Sequence, residues 1–205
     1  MSEKDYLQDL TEIKSIMNKS TRFISLSGMS GILAGVYALI GAFVGKFLIN
    51  SYQQGETGIE HLPIHYFEIL LLVVASIVLL LSVSTAFLLT SKKAKSNNEK
   101  IWTSTTRRLL KSFIVPLFTG GLLCIVLYQY NLIGLIAPFM LIFYGLSCVN
   151  ASKYTLGNIE YLGMANIITG LIATQFIGYG IYFWALGFGV FHIIYGTLMY
   201  TKYDK

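Results

Sequence analysis

Six long apolar stretches, separated by polar connections, constrain this chain more than any other feature of its sequence. They cover residues 23–49, 66–90, 109–130, 132–150, 160–179 and 181–201. A helix of about 20 residues rises about 30 Å, which is the thickness of the hydrocarbon layer of a bilayer. The sequence therefore predicts an all-α, polytopic membrane protein whose six transmembrane helices form a domain over residues 23–205.

The distribution of the 15 Lys and Arg residues indicates the membrane topology of these helices. All of them except Lys46 lie in the N-terminal segment, in the second and fourth connections, or in the C-terminal tail. Cytoplasmic connections of membrane proteins carry an excess of basic residues. We therefore expect both the N-terminus and the C-terminus on the cytoplasmic side, with three short connections outside.

The composition argues against a separate soluble domain and against a nucleic-acid partner. Hydrophobic residues make up 55% of the chain and charged residues 12%, which leaves too little polar surface to cover a water-soluble domain of this length. The net charge of +5 comes from residues beside the ends of the spans. Membrane topology explains that charge, and no nucleic acid is expected.

The second connection carries the densest positive charge in the chain. A basic residue near anionic headgroups contributes on the order of 1 kcal/mol to membrane attachment. We therefore expect this connection to contact anionic lipid headgroups of the bilayer on its cytoplasmic side. Its basic residues are Lys92, Lys93, Lys95, Lys100, Arg107, Arg108 and Lys111.

Residues 1–22, which precede the first span, have an amphipathic pattern. Tyr6, Leu10, Ile13 and Met17 recur at helical spacing. This pattern predicts a cytoplasmic amphipathic N-terminal helix that lies on the inner leaflet or against the bundle. The alternative interpretation is that residues 1–20 form a docking site for a cytoplasmic protein partner.

Short internal matches divide the six spans into three helical hairpins. Residues 28–35 match residues 163–170, with Gly, Met, Ile and Gly at the same relative positions. Residues 143–145 are echoed by residues 194–196. Because each hairpin would start on the same side of the membrane, we predict three parallel hairpin repeats.

Small residues and prolines predict how the helices pack and bend. Ser27, Gly31 and Gly35 lie on one stripe of the first span, where small side chains let helix backbones approach closely. We expect this contact within the chain, with contact between two chains as the alternative. Pro116 and Pro138 fall inside the third and fourth spans and predict kinks.

His192 lies near the middle of the sixth span, where an ionisable side chain is a functional hypothesis by default. The favoured interpretation is a neutral imidazole that is hydrogen-bonded to a neighbouring helix, because no Asp or Glu lies at a similar depth to form a proton relay. Asn166, Gln175, Tyr144 and Tyr195 are candidates to form a polar seam with it.

The outer connection before the second span contains three weak candidates for metal ligands, His61, His65 and Glu68. Two histidines and a carboxylate can bind a transition metal, but Pro63 separates the histidines. We therefore expect a solvated loop and no metal. Lys46 and Glu68, near the outer ends of the first two spans, are expected to pair with each other.

No motif in the sequence indicates an enzymatic reaction. A nucleophile elbow, a zinc-protease motif and a glycine-rich phosphate loop are all missing from the sequence. Cys124 and Cys148 are predicted to lie at depths too different for a disulfide. We therefore expect neither catalysis nor a bound cofactor.

Three segments, residues 21–35, 151–156 and 184–196, resemble an uncharacterised family of six-span bacterial inner-membrane proteins. The resemblance extends over the whole chain and implies a location in the bacterial inner (cytoplasmic) membrane. It implies no activity, cofactor or site residue.

Two functions are consistent with these features. The favoured one is a non-catalytic structural, regulatory or partner-binding component of the membrane, because the predicted membrane interior contains very few charged residues. The alternative is a small-solute transporter or channel with a polar seam around His192.

Overall fold

The computed structural model describes residues 27–55, 59–97, 101–155 and 159–203. The predicted all-α class is confirmed for these ranges, in which the chain is helical and no strand is described. The amphipathic helix predicted within residues 1–22 lies outside the described residues.

The described chain forms seven α-helices and one π-helical segment, which runs from Ala185 to Val190 and joins the last two helices. Helix α6, this π segment and helix α7 follow one another without a break, and together they are called the C-terminal helix below. The α-helices are α1 (Gly28–Gln54), α2 (Ile64–Ser96), α3 (Ser104–Gln129), α4 (Ile136–Ser152), α5 (Ile159–Ala173), α6 (Gly180–Trp184) and α7 (Phe191–Tyr203).

Five helices of the described ranges are long and apolar enough to cross a membrane. They are α1, α2, α3, the C-terminal helix, and α4 together with the short 3-10 helix Ile133–Leu135 that precedes it. Helix α5 is apolar but has only 15 residues. The fifth span is predicted over 160–179, whereas helix α5 stops at Ala173 and the chain then turns through Gly178, whose φ is 98°. A left-handed backbone of this kind favours glycine and ends helical hydrogen bonding.

The other connections at this end of the bundle also turn at residues suited to a left-handed backbone. Gly55 ends α1 with φ of 70°, and its N–H donates to the carbonyl of Ser51 at 3.2 Å. Asn131 has φ of 58° in the tight turn after α3, where the sequence predicts a connection. The opposite end of the bundle holds the α2–α3 and α4–α5 connections and the end of α7, and is called the basic end below because Lys153 and Lys202 lie there.

Glycines let α1 lie directly against the C-terminal helix. A Cβ atom on Gly35 would lie 2.6 Å from the carbonyl oxygen of Gly189, and one on Gly28 would lie 2.6 Å from the carbonyl oxygen of Gly196. A Cβ on Gly31 would lie 3.1 Å from the Cα of Gly196. Because the nearest atoms belong to the backbone, they cannot rotate away, and only glycine fits at this crossing.

Helices α4 and α5 cross through a second set of glycines. A Cβ on Gly163 would lie 2.7 Å from the carbonyl oxygen of Gly145, and one on Gly170 would lie 2.8 Å from the carbonyl oxygen of Pro138. Pro138 is the third residue of α4, where an N–H has no intrahelical partner to lose. The kink predicted at Pro138 therefore has no cause there, whereas Pro116 does lie inside α3.

Helix α2 lies at one edge of the bundle and packs along α1. Its contacts with α1 include the side chain of Val78 against Gly41, a 3.4 Å hydrogen bond between Tyr37 and Thr85, and the stacked rings of Tyr52 and Phe67. Most of the other faces of α2 are exposed. Helix α3 packs on α4, where the side-chain amide of Asn150 donates to the carbonyl of Ser112 at 3.1 Å. The C-terminal helix lies between α1 and the α4–α5 pair.

Candidate functional site

A buried polar cluster lies where α4, α5 and the C-terminal helix meet. Its position follows from the π segment, in which the wider turn shifts the backbone hydrogen bonds by one residue. Gly187, within this segment, is buried against α5, and a Cβ there would lie 2.5 Å from Oδ1 of Asn166. The carbonyl oxygen of Gly187 also lies 2.9 Å from Nδ1 of His192. The π segment thus orients the imidazole ring of His192.

The partners of His192 define its tautomer. A carbonyl oxygen can only accept a hydrogen bond, so Nδ1 carries a proton and donates to Gly187. In a neutral imidazole the other nitrogen, Nε2, is then an acceptor. The hydroxyl of Tyr144 lies 2.6 Å from Nε2 and therefore donates to it. His192 is 8% exposed, and both of its ring nitrogens are bonded inside the protein.

Aromatic rings surround the bond between Tyr144 and His192. The ring centroid of Tyr144 lies 5.0 Å from that of Phe188 and 5.9 Å, edge-on, from that of Phe113. The ring of Trp184 packs in turn on Phe188, at 5.2 Å. These apolar rings lower the local dielectric, which strengthens a satisfied hydrogen bond and raises the cost of breaking it.

Cys148 extends the cluster along α4. It is 0% exposed and lies one helical turn after Tyr144. The hydrogen bonds of the cluster run from Tyr144 to His192 and from His192 to the carbonyl of Gly187. Both cysteines are free thiols, and Cys124 lies in contact with the Ile136 carbonyl.

Asn166 is the fully buried polar residue of α5. Its side-chain amide donates to the carbonyl of Leu162, one turn earlier, at 2.9 Å. Its Oδ1 atom has no hydrogen-bond partner among the residues that the structure describes. A Cβ on Gly187 would lie 2.5 Å from this oxygen, so a glycine is needed beside it.

Of the five residues predicted to form a polar seam, the structure brings three together and places a different one, Gln175, away from them. His192, Tyr144 and Asn166 lie around Gly187. Tyr195 is half-buried beside them and lines a groove between α5 and α7. Gln175 lies instead in the exposed turn after α5, where its amide donates to the hydroxyl of Thr174 at 3.1 Å. Gln175 therefore lies apart from the other residues predicted for the seam.

Lys46 and Glu68, which were expected to pair with each other, each contact a tyrosine instead. The hydroxyl of Tyr128 donates to Oε2 of Glu68 at 2.6 Å and connects α3 to α2. The ammonium of Lys46 lies over the ring of Tyr182, 5.4 Å from its centroid. The predicted pairing of Lys46 with Glu68 is wrong, because aromatic residues of two other helices meet each group first.

The three weak metal candidates do not form a metal site in the described ranges. No group of three or more His, Cys, Asp or Glu side chains there is arranged to hold a metal ion. The ring of His65 packs on Tyr66 at 4.1 Å, while Glu68 accepts from Tyr128. His61 ends the short 3-10 helix Ile59–His61.

The basic residues of the second connection border its two helix ends. Lys92, Lys93 and Lys95 lie near the end of α2, and Arg107, Arg108 and Lys111 near the start of α3. All of these except the half-buried Lys93 are exposed, as is Trp102, while Lys100 lies outside the described residues. Thr103 is the N-cap of α3, and its hydroxyl accepts a hydrogen bond from the N–H of Thr106 at 3.1 Å.

The stripe of small residues on the first span lies against the same chain. Gly31 and Gly35 contact the C-terminal helix, and the carbonyl of Ser27 accepts from the hydroxyl of Ser30 at 2.6 Å.

Cys148 and Gly187 are members of the buried polar cluster that the sequence does not single out. Their one signal is spacing, since Cys148 lies one helical turn after Tyr144 and Gly187 lies five residues before His192.

Comparison with protein-family models, with curated proteins and with solved structures finds no match for this chain. The class of the protein therefore comes from its own helices, whose length and apolar composition fit a multi-span membrane protein. Its most distinctive site is a buried cluster that connects α4 and α5 to the C-terminal helix through polar atoms.

Proposed function

We propose that the protein is a non-catalytic component of a membrane that acts by binding another membrane protein. It crosses a bacterial inner membrane six times, as three hairpins, and has both termini in the cytoplasm. The fifth crossing is made by α5 together with the residues on either side of it. The basic residues of the second connection contact anionic headgroups, and the N-terminal segment contacts the inner leaflet or a cytoplasmic protein.

Matching helix crossings support the hairpin arrangement. A Cβ added to Gly28 would lie 2.6 Å from the carbonyl oxygen of Gly196 at the α1 crossing. In the same way, a Cβ added to Gly163 would lie 2.7 Å from the carbonyl oxygen of Gly145 at the α4–α5 crossing. Gly35 and Gly170 meet the carbonyls of residues 189 and 138 in the same relative positions, at 2.6 Å and 2.8 Å. Each pair thus joins the first helix of one hairpin to the second helix of another.

The observation that carries the partner-binding role is the exposure of α2. This helix has 33 residues, and none of its most apolar window is buried within the bundle, whereas a third of the corresponding window in α1 is buried. Leu72, Leu80 and Leu88 are each 65% exposed. Helix α2 packs along α1 and meets α3 through the bond between Glu68 and Tyr128, and its exposed sides are available to another transmembrane helix.

Photocrosslinking in intact cells tests this role. A photoreactive residue at Leu80 is expected to crosslink to a discrete protein that co-purifies in a fixed ratio with this chain. The matched control is Val78, whose side chain contacts Gly41 of α1 and which should crosslink within the chain alone. Crosslinks to lipid alone from Leu72, Leu80 and Leu88, in a folded protein, would contradict the proposal.

A small-solute transporter or channel is the second candidate, and the π segment beside His192 favours it. π-helical turns inside α-helices occur frequently at functional sites. The buried Oδ1 of Asn166, which has no hydrogen-bond partner among the described residues, adds a polar atom to the same place. Flux through reconstituted vesicles that is lost in a folded His192→Ala variant would favour this candidate over partner binding.

A further inference from the structure

The π segment leaves one carbonyl of the C-terminal helix without a backbone donor. At the end of the segment the N–H of Phe191 donates to the carbonyl of Leu186, five residues earlier, whereas an α-helix would pair it with Gly187. Helix α7 then resumes the α register, in which the N–H of His192 pairs with Phe188. The carbonyl of Gly187 lies between these two acceptors, and the backbone register passes it over.

The side chain of His192 supplies the missing donor. Its Nδ1 atom lies 2.9 Å from the carbonyl oxygen of Gly187, and its Nε2 atom accepts from the hydroxyl of Tyr144 at 2.6 Å. Gly187 is buried, and a buried carbonyl without a donor is unfavourable. The bond from His192 therefore stabilises the π register, and Tyr144 holds the ring that makes this bond.

The C-terminal helix is anchored more firmly after the π segment than before it. In α7, a Cβ on Gly196 would lie 2.7 Å from the carbonyl oxygen of Gly28, so the two backbones are in direct contact. Before the segment, α6 meets α1 through side chains, because a Cβ on Gly45 would lie 3.1 Å from Cδ1 of Ile181. Side chains can exchange partners, whereas backbones in direct contact cannot rotate past each other. A change of register would therefore move α6 and leave α7 in place.

We propose that the π segment is a switch between two registers of the C-terminal helix, and that the bond from His192 to Gly187 holds it in the π register. Without this bond the segment converts to an α-helix, in which the carbonyl of Gly187 accepts from the backbone. The conversion adds one residue to the regular helix, so α6 turns by about 100° and moves by about 1.5 Å along the axis relative to α7. Tyr182 then takes the place of Ile181 opposite Gly45. The switch does not depend on the proposed partner binding.

Two substitutions of His192 separate its two hydrogen bonds. The amide nitrogen of Asn can occupy the position of Nδ1, so His192→Asn keeps a donor to Gly187 and loses the acceptor for Tyr144. The amide of Gln reaches the position of Nε2, so His192→Gln keeps an acceptor for Tyr144 and loses the donor to Gly187. Only the Gln variant is expected to change register.

Disulfide formation between α1 and α6 of the full-length protein reports the register, in a Cys124→Ala, Cys148→Ala background. With His or Asn at position 192, Gly45→Cys is expected to crosslink to Ile181→Cys and not to Tyr182→Cys. With Gln at position 192, the crosslink is expected to transfer to Tyr182→Cys.

A second cysteine pair, between α1 and α2, is the control for the fold. A Cβ on Gly41 would lie 3.7 Å from the Cβ of Val78, so Gly41→Cys should crosslink to Val78→Cys whichever residue is at position 192. With this control intact, a crosslink that stays at residue 181 in His192→Gln, or is lost from both positions, would overturn the proposal. A transfer in both variants would overturn it as well, because the register would then depend on Tyr144. Loss of the control crosslink in His192→Gln would show that the bond to Gly187 holds the whole fold, which also contradicts a switch.

Discussion

The hydroxyl of Tyr144 donates a hydrogen bond of 2.6 Å to Nε2 of His192 and so joins α4 to the C-terminal helix inside the bundle. The other ring nitrogen of His192 is bonded to Gly187 at 2.9 Å. With both nitrogens satisfied and the ring 8% exposed, the imidazole is held in one orientation. We interpret this pair as a structural connection between helices.

Replacement of Tyr144 by Phe is therefore expected to destabilise the fold. It leaves Nε2 of His192 buried without a donor, which costs about 1–3 kcal/mol. Reversible unfolding of the purified protein in mixed micelles measures this change. Tyr130→Phe, at a residue that is 73% exposed, is the matched control and should have little effect. Equal stability of the two variants would show that the Tyr144 hydrogen bond contributes nothing to the fold.

The glycine crossing of α1 with the C-terminal helix predicts a second difference between matched variants. Gly35→Ala places a Cβ 2.6 Å from the carbonyl oxygen of Gly189 and should lower stability by about 1–3 kcal/mol, the cost of overpacking. Gly121→Ala makes the same change in α3, where nothing lies within 4 Å, and should leave stability unchanged or slightly higher. Thermal unfolding distinguishes these outcomes, and a similar loss in both variants would contradict the observed crossing.

Several features of the fold follow from the sequence because they depend on local chemistry. The length of the apolar runs predicts the helices, and Asn131 lies in the turn expected after the third span. Other features depend on tertiary contacts. The partners of Lys46 and Glu68 are tyrosines contributed by helices distant in sequence, and no periodicity identifies them. The end of α5 at Ala173 depends on a turn that interrupts an otherwise continuous apolar run.

The sequence predicts several residues of the candidate site but not how they are arranged. Depth in the sixth span identifies His192, and polarity identifies Tyr144 and Asn166 as neighbours. The π segment that orients His192 has no sequence signature, because its hydrogen-bond register depends on how Gly187 packs against α5. The same packing explains why Gln175, beyond the end of α5, lies in an exposed turn.

The membrane topology gives a further prediction, which cysteine labelling tests. In a Cys124→Ala, Cys148→Ala background, an impermeant maleimide should label Tyr130→Cys in intact cells. Ser96→Cys, at the basic end, should be labelled only after the cells are made permeable, because basic connections are retained in the cytoplasm. Both positions are exposed in the structure. The reverse pattern of labelling would contradict the cytoplasmic location of both termini.

Proton flux in reconstituted vesicles tests most directly whether His192 is a structural residue or part of a conduit. Vesicles that contain the wild-type protein are expected to hold an imposed pH gradient as long as protein-free vesicles do. The His192→Ala variant should hold it equally well while it unfolds at a lower temperature. A wild-type leak that disappears in a folded His192→Ala variant would contradict the structural role and favour transport.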